Sequence, residues 1–346
     1  WPHAMNASAT HDTKRGEDAR ARLNVLSEMP DEWERHLREW HEINRSRKVQ
    51  AGARLAPEND DEYLLYQTLL GAYPFDLAEY PAFVERIKGY LIKATREAKV
   101  HTNWLEPNSA YEDALLAFAE RVMEPGKDNP FLQSFLPFQR RIQHHGMLNS
   151  LSQTLLKLTI PGVPDFYQGT ELWDLSLVDP DNRRPVDFER RGALLKSLQN
   201  GAGGNILQLI AELLSAPEDG RIKLFLIYRA LRARRAELEL FQHGAYRKLT
   251  VIGSLESHVV AFARERDERR ALVVAPRFSS GLVKDGRYPL GEVAWRETRV
   301  LPPAGSRLRW RDALTGQTVQ GEEALWLREV LEHFPVALLV NEPGPG

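Results

Sequence analysis

One stretch limits the possible folds more than any other. Residues 159–187 run Thr-Ile-Pro-Gly-Val-Pro-Asp-Phe-Tyr-Gln-Gly-Thr-Glu-Leu-Trp-Asp-Leu-Ser-Leu-Val-Asp-Pro-Asp-Asn-Arg-Arg-Pro-Val-Asp. Pro and Gly bracket a short apolar run, the pattern of a strand buried on both faces. The polar tail after Gly169 has the make-up of a long loop leaving that strand's C-terminal end. In a (β/α)8 barrel the loops at that end build the active site, so Gln168, Glu171, Asp179, Asp181, Asn182 and Arg183 would face a ligand. Surface turns use the same residue types, so the reading depends on finding a second strand of the same kind.

Residues 4–15, Ala-Met-Asn-Ala-Ser-Ala-Thr-His-Asp-Thr-Lys-Arg, fit that second strand: small residues lead into a polar cluster. Glu17 and Asp18 then suit a helix N-terminus, Ala19, Leu23 and Leu26 share a face, and Pro30 is expected to stop the helix. Roughly 130 residues separate the two strand candidates, whereas a βα unit needs a few tens, so an inserted helical subdomain is expected. Its helices show in the spacing. Trp33, Leu37 and Trp40 recur at i, i+4, i+7, which reads as core packing. A helix over 60–70 has Asn59 and Glu62 as a cap pair and Gly71 as a stop. Pro81 opens another, with Phe83, Ile87, Tyr90 and Leu91 on one face, and Ser109 with Glu112 has capping-box spacing for a helix through Val122. A helix over 146–158 delivers the chain into the second strand.

Helices are expected at 188–198, 206–214 and 221–238, where Arg229, Arg232, Arg234 and Arg235 complement a helix C-terminus. From Tyr246 the period becomes that of strands, at 246–252, 258–264, 271–275, 298–301, 308–311 and 336–340. The fold class is therefore α/β plus all-β. It would comprise barrel-type strands with a large helical insertion, followed by an antiparallel β domain. Residues 1–29 would be the first strand and helix, 30–145 the insertion, 146–240 the last barrel strand with its loop and helices, and 241–346 the β domain.

Composition removes several function classes. Forty-six basic against 48 acidic residues leave a net charge of −2, so there is no global field to recruit nucleic acid or an anionic membrane. No apolar run reaches the length of about 18 residues that a membrane span needs. Cys is absent, which excludes disulfides, thiol catalysis and thiolate metal sites and fits a reducing, cytoplasmic location. The paired histidines, His144 with His145 and His36 with His41, lack a supporting carboxylate pattern, so neither a metal nor another cofactor is expected.

The strings Thr10-His11-Asp12-Thr13-Lys14-Arg15, 101–112 and 158–187 resemble the α-amylase superfamily and, within it, the maltooligosyl trehalose synthases. The resemblance runs over essentially the whole chain and implies the C-terminal part of a (β/α)8 barrel with a large helical insertion, followed by an antiparallel β-sandwich domain. It implies an intramolecular transglucosylation that turns the reducing-end α-1,4 link of a maltooligosaccharide into an α,α-1,1 link, by double displacement with retention. Asp12 would be the third catalytic carboxylate and His11 a hydroxyl donor to the same sugar, with Lys14 and Arg15 orienting hydroxyls. The nucleophile Asp and the acid Glu of that family lie on earlier strands, so the missing N-terminal half of the barrel is an expected partner and the chain alone is expected to be inactive. A related α-glucan hydrolase or glucosyltransferase, and a non-catalytic carbohydrate-binding or regulatory fragment, are the alternatives.

Overall fold

The computed structural model describes residues 3–303, 309–321 and 323–342. In chain order come β1 (Met5–Ala7), α1 (Glu17–Asn24), α2 (Pro30–Asn44), the hairpin β2 (Val49–Ala51) and β3 (Arg54–Ala56), α3 (Asn59–Ala72), α4 (Tyr80–Ala98), α5 (Ser109–Met123) and α6 (Pro130–Thr159). Then follow β4 (Val163–Asp165), α7 (Phe188–Gly203), α8 (Ile206–Ser215), α9 (Arg221–Ala236) and α10 (Leu238–His243). The last part holds β5 (Ala245–Lys248), β6 (Thr250–Ile252), β7 (Val259–Arg266), β8 (Arg269–Pro276), α11 (Gly291–Trp295), β9 (Arg299–Leu301), β10 (Arg309–Asp312), β11 (Thr318–Gln320), β12 (Leu325–Trp326), α12 (Leu327–Val330) and β13 (Ala337–Asn341). Helices and antiparallel sheets thus make up most of the chain. No helix among the described residues is long and apolar enough to cross a membrane.

The chain forms two compact units. One comprises Trp1–Thr10, Met147–Asp174 and Pro185–Gly346, the other His11–Gly146 and Leu175–Arg184. In the first, β1 and β4 pair in parallel, Met5 opposite Val163 and Ala7 opposite Asp165. Gly162, at φ +121°, makes this possible: a Cβ there would lie 2.6 Å from Asn6 Nδ2 and 2.7 Å from the Ala4 carbonyl, a conformation and an approach that favour glycine. Met5 and Val163 on this pair are 68% and 54% exposed.

The same unit carries a six-stranded antiparallel sheet in the order β11-β10-β13-β8-β7-β5 and a three-stranded one, β12-β9-β6. Alternation along the larger sheet feeds two cores. Phe262, Ala271, Val273 and Leu338 pack with Leu213, Phe225 and Ala230 of the helices. Val259, Ala261, Ala263, Leu272, Val274 and Leu339 pack with Val300 and Leu325 of the smaller sheet and with Trp295. Central strands of the larger sheet are therefore buried on both faces.

The second unit is helical, with a core in which the fully buried Trp40 is ringed by Tyr66, Phe131, Phe135 and Phe138 at centroid distances of 5.4 to 6.0 Å. Helix α6 enters this core tightly. Gly146 meets α1 so closely that a Cβ would stand 2.6 Å from Arg22 Cγ and 2.8 Å from its Cα.

Several local expectations change. Pro30 does not stop the first helix but sits at the first turn of α2, where its missing N–H costs nothing. Gly71 lies inside α3, and Glu62 caps nothing: it accepts from Lys48, His41 and Tyr66 at 2.8, 2.9 and 2.7 Å. For α5 the cap is Asn108, accepting from the Tyr111 N–H, while Glu112 pairs with Arg96 and Thr102. Helix α6 is a single helix of 30 residues, longer than the expected 146–158. Short strands β2, β3, β11 and β12 escaped the pattern, and Leu308 of the expected strand 308–311 lies outside the described residues.

Candidate functional site

Two loops carry most of the sequence-selected residues, and the helical unit brings parts of both together. After β1 the chain reaches His11 and Asp12, whose side chains are 56% and 86% exposed, with His11 Nε2 and Asp12 Oδ2 3.4 Å apart. From the other loop, Asn182 Nδ2 donates to the His11 carbonyl at 2.8 Å. The Gly16 N–H donates to the Ser176 carbonyl at 2.7 Å, and Arg15 forms a bridge with Leu177. Asn182 and the His11–Asp12 turn are thus neighbours, although 171 residues separate Asn182 from His11.

The rest of the second loop is tied down by its own charges. A short 3-10 turn, Asp181–Arg183, follows Pro180. Asp179 Oδ2 meets Arg183 Nε at 2.9 Å. Asp181 is held on both oxygens by Arg86, Nε to Oδ1 at 2.7 Å and Nη2 to Oδ2 at 2.8 Å, and its Oδ2 also accepts the Leu177 N–H at 2.7 Å. Burial alone would push this carboxyl up; the Arg86 fork, the Leu177 N–H and Arg184 outweigh it and hold the group below its ordinary value. Lys14 Nζ lies 3.4 Å from Glu97 Oε2, and Arg15 Nη2 donates to Thr68 Oγ1 at 3.3 Å.

Gln168 and Glu171 belong to the other unit. Gln168 is exposed, while Glu171 Oε2 accepts from Arg191 Nε at 3.0 Å and Arg191 Nη2 donates to the Gly169 carbonyl at 2.8 Å. In that unit Lys157, 5% exposed, points Nζ at Ser8 Oγ at 2.7 Å and lies 3.9 Å from the Phe166 ring centroid. Neither Lys157 nor Arg86 stood out in the sequence, since a lone cation in an amphipathic helix looks like a solvated one. Among the described residues no group of three or more His, Asp or Glu side chains is arranged to hold a metal ion.

An exposed carboxylate beside an imidazole, on a turn that also receives the Asn182 amide, has the donors and acceptors to grip the hydroxyls of a neutral polar ligand. No protein-family model matches the chain. Over 342 residues, 99% of its length, it is 37% identical to a Mycobacterium tuberculosis (strain CDC 1551 / Oshkosh) protein provisionally named maltooligosyl trehalose synthase. The chain is homologous to part of the maltooligosyl trehalose synthases. It spans 38% of that relative's length. Solved maltooligosyl trehalose synthase structures agree. That from Arthrobacter ramosus superposes with a TM-score of 0.78 at 34% identity, covering 99% of this chain and 39% of its own. One from Sulfolobus tokodaii, described as a hypothetical maltooligosyl trehalose synthase, gives 0.68 at 30% identity over 97% of this chain and 38% of its own.

Proposed function

We propose that the chain supplies the C-terminal portion of a cytoplasmic maltooligosyl trehalose synthase. That enzyme moves the reducing-end glucose of a maltooligosaccharide from an α-1,4 to an α,α-1,1 link without net addition of water. In this reading β1 and β4 are neighbouring strands of a (β/α)8 barrel completed by the rest of the enzyme, most of residues 30–145 are the helical insertion, and the two antiparallel sheets form a β-sandwich. The observation that carries the reading is the Asn182 to His11 hydrogen bond. Two motif loops distant in sequence meet at the residue beside Asp12.

Asp12 accepts hydrogen bonds from hydroxyls of the sugar at the scissile bond, and His11 donates to the same sugar. These bonds strengthen as positive charge develops at the anomeric carbon, which lowers the barrier selectively. The α-1,4 bond breaks as a carboxylate nucleophile captures the glycosyl group and a carboxylic acid protonates the departing glucose; the anomeric hydroxyl of that glucose then displaces the carboxylate and returns its proton to the acid, so atoms are conserved. No residue of this chain is assigned as nucleophile or general acid. Asn182 and Arg183 are the further sugar contacts in the helical unit.

The test is maltopentaose turnover by the complete enzyme carrying this chain. A non-reducing product of unchanged mass supports the proposal, and a mass gain of one water assigns a hydrolase instead. Asp12→Asn is expected to lower kcat about a hundred-fold or more, for a loss on the order of 2 to 4 kcal/mol of transition-state stabilisation. Near-normal turnover in that variant would remove Asp12 from the site.

A further inference from the structure

Helix α4 touches both loops through one polar stripe. Arg86, Tyr90, Lys93 and Glu97 stand at i, i+4, i+7 and i+11, a single helical face. Arg86 takes both oxygens of Asp181 and donates from Nη2 to the Leu175 carbonyl at 2.8 Å. Lys93 Nζ donates to the Asp179 carbonyl. Tyr90 lies under the Arg15 guanidinium, 5.9 Å from its ring centroid, and Glu97 pairs with Lys14 at 3.4 Å. Two members hold the loop over 175–184 and two hold the loop over 11–15. The adjoining apolar face of the helix, with Phe83, Ile87 and Leu91, is sunk in the core of the unit, and Tyr90 at the border of the two faces packs against that core. Such a helix is a rigid base whose polar face sets the relative position of two loops.

We infer that α4 is the positioning element of the site, and that Arg86 is a positioning residue acting on the His11–Asp12 turn through Asp181 and Asn182. The relay is short. Asp181 is fixed by the guanidinium fork, its chain neighbour Asn182 places Nδ2 on the His11 carbonyl, and Asp12 follows in the next residue. A planar fork fixes a carboxylate in direction as well as distance, which an ammonium does not. The catalytic consequence rests on the function proposed above; the mechanical coupling of the loops to α4 does not.

The experiment uses Arg86→Lys, the near-isosteric Asp181→Asn, and the double variant. Hydrogen exchange on the 346-residue chain is read at the Leu177 and Gly16 amides, one in each loop, with amides of α5 as the internal reference. Faster exchange at both loops with α5 unchanged is expected in each single variant, and no further increase in the double variant. In the complete enzyme, kcat should fall by about 10- to 100-fold, the cost of a small misplacement, while KM for maltopentaose changes little, because an interaction made in the transition state is what is lost. A purely structural pair would lower melting temperature without this split. Unchanged exchange at either loop, or a double variant whose effect is the sum of the singles, overturns the inference. If Asp12→Asn leaves turnover intact, the functional reading fails while the exchange data still decide the role of α4.

Discussion

Asp312 shows how much one buried residue contributes outside any site. It ends β10, accepts from the Leu314 N–H at 3.0 Å and from Thr315 Oγ1 at 2.8 Å, and is 2% exposed. Burial pushes its carboxyl up to about 6, against the pull of those donors. Arg229 approaches the same turn, donating to the Ala313 carbonyl at 2.9 Å. Since the folded value lies above the unfolded one, the folded chain binds this proton more tightly. The group therefore costs nothing below about pH 4, and stability declines as pH rises through about 6, by about 3 kcal/mol at 1.4 kcal/mol per unit. Asp312→Asn keeps the shape and lacks the titration, so the difference in urea midpoint between variant and parent should grow in the variant's favour from pH 4 to pH 7. A constant difference would show that Asp312 is not the titrating group. Nothing local in the sequence reveals the burial that shifts the carboxyl.

At the scale of elements, the apolar spacing located the helices and the change to period two located the longer strands, because those patterns are written by the faces they bury. What the pattern missed was decided by neighbours far along the chain. Glu62 has cap spacing, yet Lys48, His41 and Tyr66 claim it. The apolar face of α4 was legible through Phe83 and Ile87. Its polar stripe was not, since Asp181 lies 95 residues from Arg86. For the candidate site, His11, Asp12 and Asn182 were legible as residue types on two loops expected at the same end of a barrel, and the bond that joins Asn182 to the His11 carbonyl was not. The contact of α6 with α1 makes a further element-scale prediction. Arg22 there is fully buried and donates to the Tyr73 carbonyl at 2.6 Å; burial lowers its guanidinium to about 9, with Asp18 opposing. Gly146→Ala forces a methyl against its backbone and should destabilise the helical unit by about 1 to 3 kcal/mol, read as a lower urea midpoint. An unchanged midpoint would mean that α6 shifts without cost.

For the whole molecule, stability is unevenly spread. The central strands of the six-stranded sheet are buried on both faces, whereas β1 and β4 form a two-stranded pair that leaves Met5 and Val163 exposed. Two strands alone are marginal in water, so the Val163 amide, bonded to the Ala4 carbonyl at 2.9 Å, should exchange far faster in the 346-residue chain than the Val273 amide of β8. Equal protection would show that β1 and β4 are covered as well as the sheet. The division into units has another consequence. The chain passes between them after Thr10, Gly146, Asp174 and Arg184, so the ten residues Leu175–Arg184 are encoded far from the helices whose unit they join. A recombination event that exchanged residues 11–146 for a homologous insertion would inherit a foreign Arg86 and leave the native Asp181 behind. The two segments are therefore expected to be transmitted as a matched set, with substitutions at positions 86 and 181 arising together in the lineage, while the β-sheet unit diverges independently of both.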